Sequence, residues 1–104
     1  MSKVSSKIEQ EYQSQGATFS ADLVNIEESF NCSCQINLSN SSGFSGSSVI
    51  QVSNDLETWV DLPNSEEALT DCNFYDIQSA AAFVRVKIVF LSGSADFNID
   101  WLLL

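Results

Sequence analysis

AFVRVKIVFLSGSADFNIDWLLL, residues 82–104, is the stretch on which the fold turns. Its first part sets Val84, Val86, Ile88 and Phe90 on one side and Arg85 and Lys87 on the other. Its last part sets Phe97, Ile99, Trp101 and Leu103 on one side and Asp96, Asn98 and Asp100 on the other. A period of two belongs to an extended chain, whose successive Cβ atoms point to opposite faces. Between the two parts, LSGSA with Gly93 reads as a turn, so the stretch predicts a hairpin with one buried face and one wet face. Arg85 and Lys87 then lie across from the outward acids, and such cross-strand pairs hold register at about 0.2–1 kcal/mol each.

The same alternation runs upstream. In FNCSCQINLS (residues 30–39), Phe30, Cys32, Cys34, Ile36 and Leu38 share one face, and the polar residues share the other. TFSADL (18–23) places Phe19, Ala21 and Leu23 together, and SVIQV places Ile50 with Val52. SNSSGFSGSS (39–48) reads as a Gly/Ser loop. Ser53-Asn54-Asp55 reads as a turn, because Asn and Asp tolerate left-handed backbone and bond their own main chain. ETWVDL (57–62) is then the returning strand, with Trp59 reaching the core beside Ile50 and Val52, and Pro63 ending it. EEALTDCNFYDI (66–77) reads as a loop and a short strand. Six to eight strands with frequent turn signals and no internal helix predict an all-β antiparallel β-sandwich of jelly-roll type.

Residues 1–15 stand apart as an N-terminal arm, leaving residues 16–104 as the sandwich domain. Val4, Ile8 and Tyr12 recur every four residues in a Ser/Gln-rich leader, a spacing that fits a short amphipathic helix. A helix of that length is marginal alone, so the arm is expected to order against a partner or the domain's own flank. Val4, Ile8 and Tyr12, with Phe44 in the Gly/Ser loop, are the expected partner contacts.

No catalytic constellation is legible. The chain has no histidine, which removes Ser-His and Cys-His pairs and most catalytic zinc sites. GFSG (43–46) lacks the spacing of a nucleophile elbow. Cys32, Cys34 and Cys72 are expected as reduced, buried core residues, with a disulfide between Cys72 and one of the pair as the alternative. Cys32 and Cys34, same-face cysteines roughly 6.5–7 Å apart along one strand, are poorly placed to bridge each other. The acids near strand ends lack the spacing of a calcium loop. No metal, cofactor or enzymatic activity is therefore expected. Fourteen acidic against four basic residues give a formal charge of −10, which disfavours binding to nucleic acid or to an anionic membrane. The opening residues hold no apolar run, so synthesis in cytosol without a signal peptide is the expectation.

Two quoted segments carry a resemblance. GSSVIQVSNDLETWVDLPNS holds Ser53, Asn54, Asp55 and Trp59. AAFVRVKIVFLSGSADFNIDWLL holds Val84-Arg85-Val86, Ser92-Gly93-Ser94 and Trp101. Over roughly residues 17–104 the chain resembles small β-sandwich virion structural proteins of tailed bacteriophages and prophages. Its Ser-Asn-Asp…Trp hairpin also resembles that of discoidin-like, carbohydrate-binding jelly rolls, with Leu56 where those usually have glycine. The resemblance implies a virion protein made in the host cytoplasm. Its implied role is capsid decoration or cement, with the major capsid protein or other virion subunits as partners and a homo-oligomer, by preference a trimer, as its state. A tail or neck component and a sugar-binding module are the alternatives it leaves open.

Overall fold

The computed structural model describes residues 6–29 and 31–104; Val4 and Phe30 lie outside the described residues. Eight strands follow in order: β1 (Ser6–Gln15), β2 (Phe19–Ser20), β3 (Val24–Asn25), β4 (Asn31–Ser53), β5 (Val60–Asp61), β6 (Glu67–Ala68), β7 (Cys72–Gln78) and β8 (Phe83–Leu103). All pairings are antiparallel, in one open sheet that folds into a jelly-roll-like sandwich.

The frame is a ribbon of two very long strands. β4 has 23 residues and β8 has 21, and they pair from Cys32↔Leu103 at one end to Ser53↔Phe83 at the other. The expected loop at 39–48 and the expected turn at Gly93 both lie inside these strands. They are where the ribbon bends, and no hairpin joins 84–90 to 97–103. The register shifts between Ser39 and Ser42, Ser42 and Ser45, and Ser45 and Gly46, and such bulges bend and twist a strand pair. Asn40, Gly43 and Gly93 take positive φ there, at 48°, 59° and 77°. A Cβ on Gly93 would lie 2.3 Å from the Gly43 carbonyl group, and one on Gly46 would lie 2.2 Å from the Val89 oxygen. Glycine is required at both because the two backbones approach so closely. Gly and Ser here mark a corner between two layers, a role that composition alone does not distinguish from a loop.

Bending divides the ribbon into two layers. In one, β1 flanks β8 and β7 flanks β4; in the other, β2 and β3 flank β8 while β5 and β6 flank β4. The inward faces meet in a single core. Cys34, Ile36, Tyr75, Ile77, Phe97, Ile99 and Trp101 come from the first layer, and Ala21, Val24, Ile26, Ile50, Val84, Val86 and Ile88 from the second. The inward sets read from β8 are therefore correct on both sides of the bend. Leu23 is not inward: it is exposed, and Val24 and Ile26 take the core positions because β2 and β3 are separate two-residue strands.

The leader also differs from its expected form. Ser6–Gln15 is a strand, paired to β8 from Ser6↔Leu103 to Gln15↔Ala95. A spacing of four is also an even number, so Ile8 and Tyr12 share a face on a strand as well as on a helix. Gln10 lies between them, buried, and it decides for the strand. Its side-chain amide donates to the Asp22 carbonyl at 2.9 Å and its oxygen accepts from Trp101 Nε1 at 3.2 Å.

Candidate interaction surfaces

Four features project from the sandwich. The first is the Ser-Asn-Asp turn. Ser53 Oγ accepts from the N–H groups of Asp55 and Leu56, at 3.2 and 3.0 Å. Asp55 Oδ1 accepts from the N–H groups of Glu57 and Thr58, at 2.9 and 2.8 Å. These donors, Thr58 first, hold the Asp55 carboxyl below its ordinary pKa. Asn54 Oδ1 accepts from Ala82 N–H at 2.8 Å, which ties the turn to the start of β8. Leu56 takes the positive φ, 67°, where a glycine would be relaxed.

Trp59 is the second, and it does not enter the core. It is half-buried on the outer face, with the Arg85 guanidinium carbon 4.1 Å from its ring centroid. Gln51 orients that cation: Arg85 Nε donates to Gln51 Oε1 at 2.8 Å, and Gln51 Nε2 donates to Asp61 Oδ1 at 2.9 Å. The returning strand shrinks to Val60–Asp61, so Trp59 precedes any ladder and the period of two does not constrain it. Arg85 thus faces Gln51 of β4, and the expected pairing with the outward acids of residues 96–100 is absent because those residues lie on the same strand, across the bend.

The third feature is the bend. Phe44 packs edge-on to Phe90 and Phe97, with centroids 5.0 and 5.6 Å away, and the Tyr12 ring lies tilted at 5.1 Å against Phe19, itself 5.7 Å from Phe97. Two of the expected contact residues, Tyr12 and Phe44, are thereby brought into one aromatic cluster, each half-buried; Ile8 is half-buried further along β1, opposite Trp101. The Tyr12 hydroxyl accepts from Asp22 N–H at 2.7 Å. Leu91, beside this cluster, is 79% exposed. Asp96 staples the same corner, accepting from Ser14 N–H and Asn40 Nδ2 at 2.7 Å each. Both donors, Asn40 foremost, lower its pKa.

The fourth is the outer face of the first layer. A shallow groove of about 270 Å³ there is lined by Lys7, Glu9, Gln35, Phe74, Asp100 and Leu102, among others. Phe74 on β7 is 59% exposed. Cys72, expected in the core, is exposed on the same strand, because Asn73, Tyr75 and Ile77 are the residues of β7 that face inward. Cys32 and Cys34 are buried free thiols. Nothing in the alternation of NFYDI told Cys72 apart from a core cysteine; the pairing of Cys72 with Asn37 did.

No protein-family model matches the chain, and no curated protein matches it in sequence. Solved structures do share its fold. The crystal structure of the SPBc2 prophage-derived protein YomS superposes with a TM-score of 0.71, at 11% identity, over 99% of this chain and 96% of that one. A structure described as Bacillus endospore appendages forming a novel family of disulfide-linked pili gives 0.58, at 10% identity, over 96% and 86%. The Yersinia pseudotuberculosis-derived mitogen gives 0.52, at 9% identity, over 97% and 86%. At such identities the likeness is one of fold.

Proposed function

We propose that the chain is a non-enzymatic structural protein of a bacteriophage or prophage particle. In this reading it decorates or cements the head shell by protein–protein contacts with the major capsid protein or another virion subunit. The observation that supports this most is the match in fold to a prophage-derived protein along nearly the whole of both chains. A net charge of −10 keeps such a subunit away from packaged nucleic acid. A sugar-binding module, which would offer loop aromatics such as Phe44 and acids at strand ends to a glycan, is the weaker alternative, since Phe44 packs edge-on against Phe90 and Phe97. The shell-facing surface is the bend, where exposed Leu91 follows Phe90, a member of the aromatic cluster that holds half-buried Tyr12 and Phe44; Ile8 and Val4 are the further proposed contacts.

Mass spectrometry of purified particles from the phage or induced prophage that encodes the chain tests the reading. The chain is expected in heads at a copy number matching lattice positions, and Leu91→Asp is expected to reduce its occupancy at least tenfold. Particles that lack the chain would overturn the reading, and its presence in tails alone would move it to a tail or neck role.

A further inference from the structure

We infer that the free edge of β7 is a docking edge for a second copy of the chain, paired antiparallel about a two-fold axis at Phe74. Leu38 N–H donates to the Asp71 carbonyl at 2.9 Å, one step beyond the Asn37↔Cys72 pair. Residues along an antiparallel strand alternate between those bonded to the neighbour and those whose N–H and C=O point away. Asn73, Tyr75 and Ile77 therefore bond to β4, and Phe74, Asp76 and Gln78 direct their backbone groups outward. Among the described residues β7 pairs with β4 alone. The Cys72 carbonyl accepts from the Thr70 hydroxyl at 3.2 Å, and its second lone pair remains.

The edges of this layer are unequal. β1 is protected in the usual ways, with Lys7, Glu9 and Glu11 on its outer face and a register shift between Tyr12 and Gln15. β7 has no proline, no lysine and an unbroken register from Gln78 to Cys72. Its exposed side chains are Cys72, Phe74, Asp76 and Gln78, with Phe74 at 59% exposure.

The occupant follows from charge and symmetry. Two copies of a chain carrying −10 repel one another over most of their surface, and β7 brings a single carboxylate to the meeting. An axis at Asp76 would set two carboxylates face to face, whereas an axis at Phe74 opposes two aromatic rings and places Cys72 across from the partner's Asp76. Pairing the same strand with itself covers both edges at once and closes the assembly at two. A dimer is the state proposed here, in place of the trimer expected above. The dimer is a property of the chain alone in solution, apart from any shell contact.

Sedimentation equilibrium of the full chain under reducing conditions tests it. A monomer–dimer equilibrium is expected, with the dissociation constant raised at least tenfold by Phe74→Asp. Asp76→Pro, which removes an edge N–H and no bond to β4, should do the same, and Leu91→Asp should leave the equilibrium unchanged. Thermal melting identifies which variants are folded, and either β7 variant that melts cooperatively decides the matter. A wild-type chain that stays monomeric to about 1 mM, the weak end of specific association, would overturn the inference. So would a trimer, a folded β7 variant that dimerises like the wild type, or loss of the dimer in Leu91→Asp.

Discussion

The hydroxyl of Tyr75 on β7 lies 2.5 Å from Ser48 Oγ on β4, joining the two layers through the core. Tyr75 Oη also donates to the Ser48 carbonyl at 3.1 Å, so Ser48 Oγ is the donor in the shorter bond. Ser48 is fully buried, and removing the phenol hydroxyl leaves both of its groups without that partner. Tyr75→Phe is expected to cost about 1–3 kcal/mol in urea denaturation. Burial pushes the Tyr75 pKa up to about 12. Because the unfolded phenol ionises near 10, this group's contribution is complete below that pH and is lost as pH rises toward 12.

The two tryptophans should part company. Trp101 is buried and hydrogen-bonded to Gln10, whereas Trp59 lies half-buried under Arg85. Trp101→Ala is expected to cost about 3–5 kcal/mol. Trp59→Ala loses one surface cation–π contact and some packing, about 1 kcal/mol. Acrylamide quenching of the single-tryptophan variants checks the assignment independently: the chain retaining Trp59 should quench several-fold faster.

Leu56 is the position where a stabilising change is expected. Its φ of 67° costs a non-glycine residue about 1–2 kcal/mol, and its side chain is 47% exposed, so little burial is lost on truncation. After the entropy that glycine adds to the unfolded chain, Leu56→Gly should gain about 0.5 kcal/mol and raise the melting temperature.

The thiols should fall into two classes. Cys72 is exposed on the chain and is expected to react with a thiol reagent in the folded protein, while Cys32 and Cys34 react only as the protein unfolds. Burial first, then Asp76, pushes Cys32 up to about 11, and burial also raises Cys34. The folded state thus keeps protons that the unfolded thiols release near pH 8.5. Stability from Cys32 should fall as pH climbs from there to about 11, which denaturation at several alkaline pH values would show.

Much of the fold was legible because side-chain period is local. The faces of β8 follow from Val84-Arg85-Val86-Lys87 and from Phe97-Asn98-Ile99-Asp100, and the core faces of β4 from Cys32 to Leu38 and at Ile50. The connection between those halves was not legible. Gly43, Gly46 and Gly93 relieve steric conflict either in a turn that reverses the chain or in a bulge that bends it onward, and only the distant partner strand chooses between them. Trp59 was misplaced for a related reason, since a two-residue β5 leaves it outside the ladder. The surfaces were harder still: Phe74 looks like any alternating aromatic until β7 proves to be the last strand of its layer.

The continuity of β4 and β8 through the bend carries the rest of the account, since it makes β7 an edge and sets Arg85 beside Gln51. Cross-strand backbone NOEs in a labelled sample test it directly. Contacts are expected for Gln35↔Asp100 and Gln51↔Arg85, with Ser42↔Ser94 at the bend. A ladder joining residues 84–90 to residues 97–103, as in a hairpin closed at Gly93, would contradict it.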